Sequence, residues 1–100
     1  MGNVIRPHDI PFVVGARYRV RRDFEAMRDR FKAGEELVYE DCALSIYHGC
    51  KGYFFRDQAS EVRSWDLYDG EDSKALWPEF FELVAEPPKP EGKRRFKLFG

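Results

Sequence analysis

The sequence predicts a mainly β fold, a small barrel of four to five short antiparallel strands with a short C-terminal helix. Short segments of alternating apolar and polar residues recur along the chain, and turn residues separate them at close spacing. Beyond these segments, apolar residues recur at helical spacing. The 100 residues fit one domain, and an aromatic share of 16% can fill its core with few side chains.

Each strand is predicted from alternation between turn signals. The first three strands are Ala16–Phe24, Glu36–Ile46 and Tyr53–Arg56, and the fourth runs from Val62 to Leu67 or Tyr68. In the second strand the alternation breaks near Glu40–Cys42, which predicts a bulge or a bend. Residues 25–31 fit either an irregular loop or a single helical turn, and Gly34 is expected to take a positive φ in the turn that follows.

The C-terminal helix is predicted over Pro78–Val84, because proline is tolerated as the first residue of a helix. This helix would cover one end of the barrel. The side chains expected to share one core are Val20, Leu37, Phe55, Trp65 and Phe80. The predicted organisation is a lead-in over 1–14, the barrel domain over 15–86 and a basic, proline-containing tail over 87–100.

Four segments carry a family resemblance. These are Gly15–Val20, Phe31–Leu37, Trp65–Leu67 and Trp77–Phe81. Together they resemble an uncharacterised bacterial family of small SH3-like barrel domains, over residues 15–84. The resemblance implies a fold and carries no activity with it. The chain lacks the paired tryptophans and the proline-tyrosine end of the groove found in signalling SH3 domains, which argues against polyproline recognition.

Charge is unevenly distributed along the chain, although the net charge is only −1. Residues 1–32 carry eight Lys or Arg and four Asp or Glu, whereas residues 35–86 carry four and thirteen. Residues 87–100 carry five and one. Because a nucleic-acid-binding domain is usually basic as a whole, the acidic middle favours a basic protein or peptide partner. It also predicts that the basic tail docks on an acidic face, either of its own domain or of a neighbouring copy.

The predicted function is therefore non-catalytic binding of a protein or peptide. The expected groove lies between the first long loop and the acidic middle segment and presents Tyr39, Tyr47, Tyr53 and Tyr68 with Asp66 and Asp69. The alternative is a nucleic-acid-binding barrel that uses Arg17, Arg19, Arg21 and Arg22. A competing interpretation of that strand is that its arginines pair with acids of a neighbouring strand, such as Glu36 and Glu40.

No pattern of catalytic or metal-binding residues is complete. Cys42, His48 and Cys50 lack the paired C-x-x-C spacing of zinc sites, and His48 and Cys50 flank a flexible glycine. We therefore expect no enzyme activity, no cofactor and no metal. The N-terminus has no apolar run of signal-peptide length, so we expect a cytoplasmic protein with reduced thiols. A membrane partner is not expected, and the chain should be a monomer or a weak homodimer.

Overall fold

A computed structural model describes residues 10–45, 47, 49–68 and 70–88 of the chain. Within these ranges the protein is mainly β, with antiparallel strands and one short helix, as predicted. The elements are β1 (Arg17–Val20), β2 (Phe24–Glu25), β3 (Arg30–Phe31), β4 (Glu36–Ser45), β5 (Cys50–Asp57), β6 (Val62–Tyr68), α1 (Ser73–Phe80) and β7 (Phe81–Ala85).

Five strands form one sheet in the order β6-β5-β4-β1-β7, and all of its pairings are antiparallel. The long β4 pairs with β1 near its start and with β5 along its whole length. Its register with β5 shifts between Tyr39 and Asp41, which confirms the predicted bulge. Gly34 has a φ of 94°, also as predicted, in the turn that leads into β4.

The connection between β1 and β4 contains a small hairpin rather than a loop or a helical turn. In this hairpin β2 pairs with β3, and Phe24 lies opposite Phe31. The two rings stack with their centroids 4.8 Å apart. Each strand has only two residues, so no alternation could mark it in the sequence. Because so few backbone hydrogen bonds join these two strands, the stacked Phe24 and Phe31 rings supply much of the contact between them.

The prediction of a helix over Pro78–Val84 is wrong. The helix begins after Asp72, whose carboxylate accepts a hydrogen bond from the Lys74 N–H. Pro78 lies inside it and cannot donate to the turn before, and the helix ends two residues later at Phe80. The remaining apolar residues form β7, where Phe81 lies opposite Val20 in β1.

The core is built mostly from aromatic rings. Val20, Leu37, Phe55 and Trp65 are buried together, and Phe80 packs partly buried against them, which confirms the predicted core. At its centre lies Phe12, only 5% exposed although it precedes the first strand. Its ring centroid is 5.0–5.8 Å from those of Tyr18, Tyr39, Tyr53, Phe55, Trp65, Trp77 and Phe81. Most of these pairs are edge-to-face, the geometry that aromatic rings prefer.

Candidate functional site

The structure separates the four tyrosines that were expected to line one groove. Tyr39 and Tyr53 are buried, because their strand positions lie opposite the core residues Phe55 and Trp65. Burial, together with a side-chain hydrogen bond to Cys42, raises the pKa of Tyr39. The prediction is therefore wrong for these two residues, which cannot anchor a ligand at the surface.

The remaining members of the predicted set differ in position. Tyr47 is 96% exposed in the turn between β4 and β5, and Tyr68 is 62% exposed at the end of β6. Asp69 lies outside the described residues. Asp66 is described, and its side chain is buried, so its carboxylate contacts neighbouring side chains and is not an open charge on the surface.

Asp66 is held by a bidentate ion pair. The Arg28 guanidinium donates to both carboxylate oxygens, at 2.8 and 2.9 Å, and the Ser64 hydroxyl donates to Oδ1 at 2.7 Å. Burial alone would raise the pKa of Asp66, but the hydrogen bonds from Arg28 and Ser64 outweigh it and lower that pKa. Gly52 lies opposite on β5, and a Cβ there would come within 2.7 Å of Oδ1. Asp66 therefore stays ionised and fixes Arg28 against β6.

A groove of about 280 Å³ opens between the β2–β3 hairpin, β6 and α1. Apolar side chains supply most of its walls, and three carboxylates complete them. The apolar members are Phe24, Ala26, Met27, Trp65, Leu67, Tyr68, Leu76 and Phe80, and the acids are Glu25, Asp66 and Glu71. Met27 and Tyr68 are the large apolar side chains of this set with the most exposed surface. We call this feature the hairpin groove.

Ion pairs hold the walls of the hairpin groove in place. Besides the Arg28–Asp66 pair, Asp29 in the hairpin accepts the Ser64 N–H of β6 at 3.1 Å and contacts the Arg63 guanidinium at 3.2 Å. On the helix side, Arg22 pairs with Glu79 and lies 5.0 Å above the Phe80 ring. Within the hairpin itself, the Phe24 ring lies 4.5 Å from the Phe80 ring of α1, measured between centroids. The hairpin is therefore fixed to both β6 and α1, and the groove exists before any ligand binds.

Arg63 is the central cation of this arrangement, and sequence analysis missed it. Its guanidinium contacts carboxylates of Asp29, Glu35 and Asp57, bonds to the backbone carbonyl of Arg30, and lies 4.9 Å from the Phe31 ring. Burial would lower the pKa of Arg63, but the carboxylates of Glu35 and Asp29 raise it. Apart from Asp57, these partners lie within residues 29–35, roughly 30 positions before Arg63, so no local pattern could have identified this role.

The carboxylates of the hairpin groove differ in how far they are neutralised. Arg28 neutralises Asp66, and Arg30 pairs with Glu25 at 2.7 Å. Glu71 accepts the Tyr68 N–H at 2.8 Å with its carboxylate and has no ion pair within the described ranges. The Lys51 ammonium reaches the backbone carbonyl of Glu71 at 2.6 Å. The groove is therefore mainly apolar, with a weak acidic character.

The arginines of the alternative nucleic-acid face are partly occupied by acids. Arg19 bonds to Glu82 at 2.9 Å and to Glu36 at 3.1 Å, and both bonds raise its pKa. Arg22 pairs with Glu79. Arg17 and Arg21 are exposed and have no ion pair within the described part of the chain. Glu36 thus pairs with this strand as the competing interpretation expected, whereas Glu40 pairs with Arg56 of β5.

Cys42 is buried and Cys50 half-buried, and both are free thiols. His48 lies outside the described residues. Within the ranges that the structure describes, His, Cys, Asp and Glu side chains form no group of three that could hold a metal ion. In the same ranges no helix is both long and apolar enough to cross a membrane.

Comparison with protein-family models finds no match to this chain, and comparison with curated proteins finds none either. Among solved structures, the chain is similar to an integron cassette protein from the mobile metagenome of Vibrio cholerae. The TM-score is 0.59 at 17% sequence identity, over 71% of this chain and 83% of the other. At this identity the similarity concerns the fold alone.

Proposed function

We propose that the protein is a non-catalytic binding module and that the hairpin groove takes up a peptide segment of a partner protein. The observation that carries this proposal is the lining of the groove. Partly exposed apolar side chains such as Met27, Tyr68 and Leu76 line one preformed depression. Large apolar side chains in such a depression are typical anchors of an interface, because a ligand that fills the depression removes their apolar surface from water.

The order of elements supports an SH3-like barrel as the frame of this module. The chain enters the sheet at β1, leaves it for the β2–β3 hairpin, and returns through β4, β5 and β6. A short helix then precedes the last strand, which pairs with β1. This order places the long first connection and the helix on either side of β6, where the groove lies. A cytoplasmic location remains part of the proposal.

The partner that fits best is a segment with two or three apolar side chains and at least one basic residue. The apolar side chains of the segment would pack against the walls of the groove, and its basic residue would contact the carboxylate of Glu71 at the rim. Because the ion pairs of the hairpin already fix the walls, little conformational entropy is lost on binding. Nucleic acid remains the alternative, through the exposed Arg17 and Arg21.

The test uses a random peptide library displayed on phage and selected on the full chain. Peptides that are enriched should bind less tightly to Met27→Ser and Tyr68→Ser, each by at least tenfold. Val62→Ser is the matched control, because Val62 is 54% exposed on the same strand as Tyr68 but lies outside the groove. Equal binding to all four proteins would refute the proposal. Binding of a random single-stranded oligonucleotide that falls steeply between 50 and 200 mM salt would favour the nucleic-acid alternative instead.

A further inference from the structure

We infer that the occupant of the hairpin groove is the C-terminal segment of the same chain, residues 93–99, which a partner peptide must displace. This inference rests on the proposed function, since it names a ligand and a means of regulation for the same groove. The segment reads Lys93-Arg94-Arg95-Phe96-Lys97-Leu98-Phe99. It combines three large apolar side chains with four cations, the composition that the walls and rim of the groove favour.

The chain path allows the segment to return to the groove. Residue 80 lines the groove, and β7 leads away from it to Ala85. Pro87 then packs against Gly15, where an added Cβ would lie 3.2 Å from the Pro87 Cβ. Seven residues separate Phe80 from Pro87, a span of about 23 Å at the rise of an extended strand. Nine residues separate Pro87 from Phe96 and can span up to about 30 Å, so Phe96 can reach the groove.

Apolar contact is the larger part of the expected attraction. Two of the three carboxylates in the groove already pair with Arg28 and Arg30, which leaves Glu71 as the open acid. Attraction between exposed charges contributes little by itself. Phe96, Leu98 and Phe99 would instead cover the apolar walls around Met27, whose side chain is 39% exposed. The basic residues would add only a weak attraction to Glu71 at the rim.

Attachment to the same chain makes weak docking sufficient. A short flexible linker gives an effective concentration of about 1 mM, so a segment with a dissociation constant of about 100 µM would fill the groove roughly ten times out of eleven. A competing peptide would then bind about tenfold more weakly than to an open groove. Docking within one chain also does not depend on protein concentration.

The test compares the full chain with the variant Phe96→Ser, Leu98→Ser, Phe99→Ser. We expect the amide chemical shifts of Met27, Tyr68 and Leu76 to differ between the wild type and this variant. The differences should be the same at 20 and 400 µM protein. Peptides selected on the groove should bind the triple variant about tenfold more tightly than the wild type. Glu91→Ser, a polar change in the same tail, is the control and should leave both readouts unchanged.

Three outcomes would overturn the inference. If the triple variant shifts only amides of residues 89–100 and binds selected peptides as the wild type does, the tail does not occupy the groove. The proposed function would still stand in that case, because those peptides would still depend on Met27 and Tyr68. If the changes at the groove appear only at 400 µM protein, a second copy supplies the segment and docking within one chain is wrong. If no selected peptide depends on Met27 or Tyr68, the proposed function fails together with the inference.

Discussion

Truncation of Phe12 tests how far the core depends on a residue that precedes the first strand. The Phe12 ring is buried among rings of all five strands of the main sheet and of the helix. Removing a buried phenylalanine side chain costs about 3–5 kcal/mol, and the ring pairs add to the lost burial. We expect Phe12→Ala to lose that amount, which is a large share of the stability of a small domain.

Thermal unfolding followed by near-ultraviolet circular dichroism measures the change. A loss of 3–5 kcal/mol corresponds to a decrease in Tm of about 10–40 °C for a domain of this size. Val14→Ala is the control, because Val14 is 64% exposed two residues away and should change the stability by less than about 0.5 kcal/mol. If Phe12→Ala does not fold, Phe12→Leu should still show a smaller loss. Equal melting of Phe12→Ala and Val14→Ala would refute the placement of Phe12.

Three further predictions follow from the groups around Asp66 and Arg63. Gly52→Ala should lose about 1–3 kcal/mol in urea unfolding, because its Cβ would meet Oδ1 of Asp66, which Arg28 holds in place. The folded pKa of Asp66 is lowered, so its stabilisation is complete above the unfolded value of about 3.9 and is lost as the pH falls through the folded pKa. The urea midpoint of Asp66→Asn should therefore decrease less than that of the wild type as the pH is lowered below about 4. Arg63→Lys should lose about 1.5–3 kcal/mol, because a lysine cannot bridge three carboxylates, and an unchanged midpoint would contradict that role.

The sequence predicts those parts of the fold that local patterns determine. The fourth strand was predicted over the residues that form β6, and the break near Glu40 correctly marked the bulge in β4. Alternation succeeded in β6 because the apolar side chains Trp65 and Leu67 share one face and lie in the core, although Asp66 on the other face is buried as well. It failed after Pro78, where a short apolar run fits a helix and a strand equally well, and pairing of Phe81 with Val20 decides for the strand.

The candidate site was less predictable, because tertiary contacts create it. Tyr39 and Tyr53 were assigned to the surface as interface anchors, although their strand positions place them in the core. The sequence did not predict a role for Met27, because this residue lies between two strands of two residues each, which are too short to show alternation. The arginine–carboxylate contacts that fix the hairpin join residues about 30 positions apart, as between Arg63 and Asp29. Local spacing carries no information about such contacts.

Mapping a bound peptide on the full chain tests most directly whether the hairpin groove is the binding site. A peptide selected from the library is titrated into isotopically labelled protein, and the amide shifts are followed residue by residue. We predict that the largest shifts occur at Met27, Leu67, Tyr68 and Leu76, on all three walls of the hairpin groove. Shifts that instead concentrate on Arg17–Arg22, or spread evenly over the sheet, would contradict the claim that the hairpin groove is the binding site.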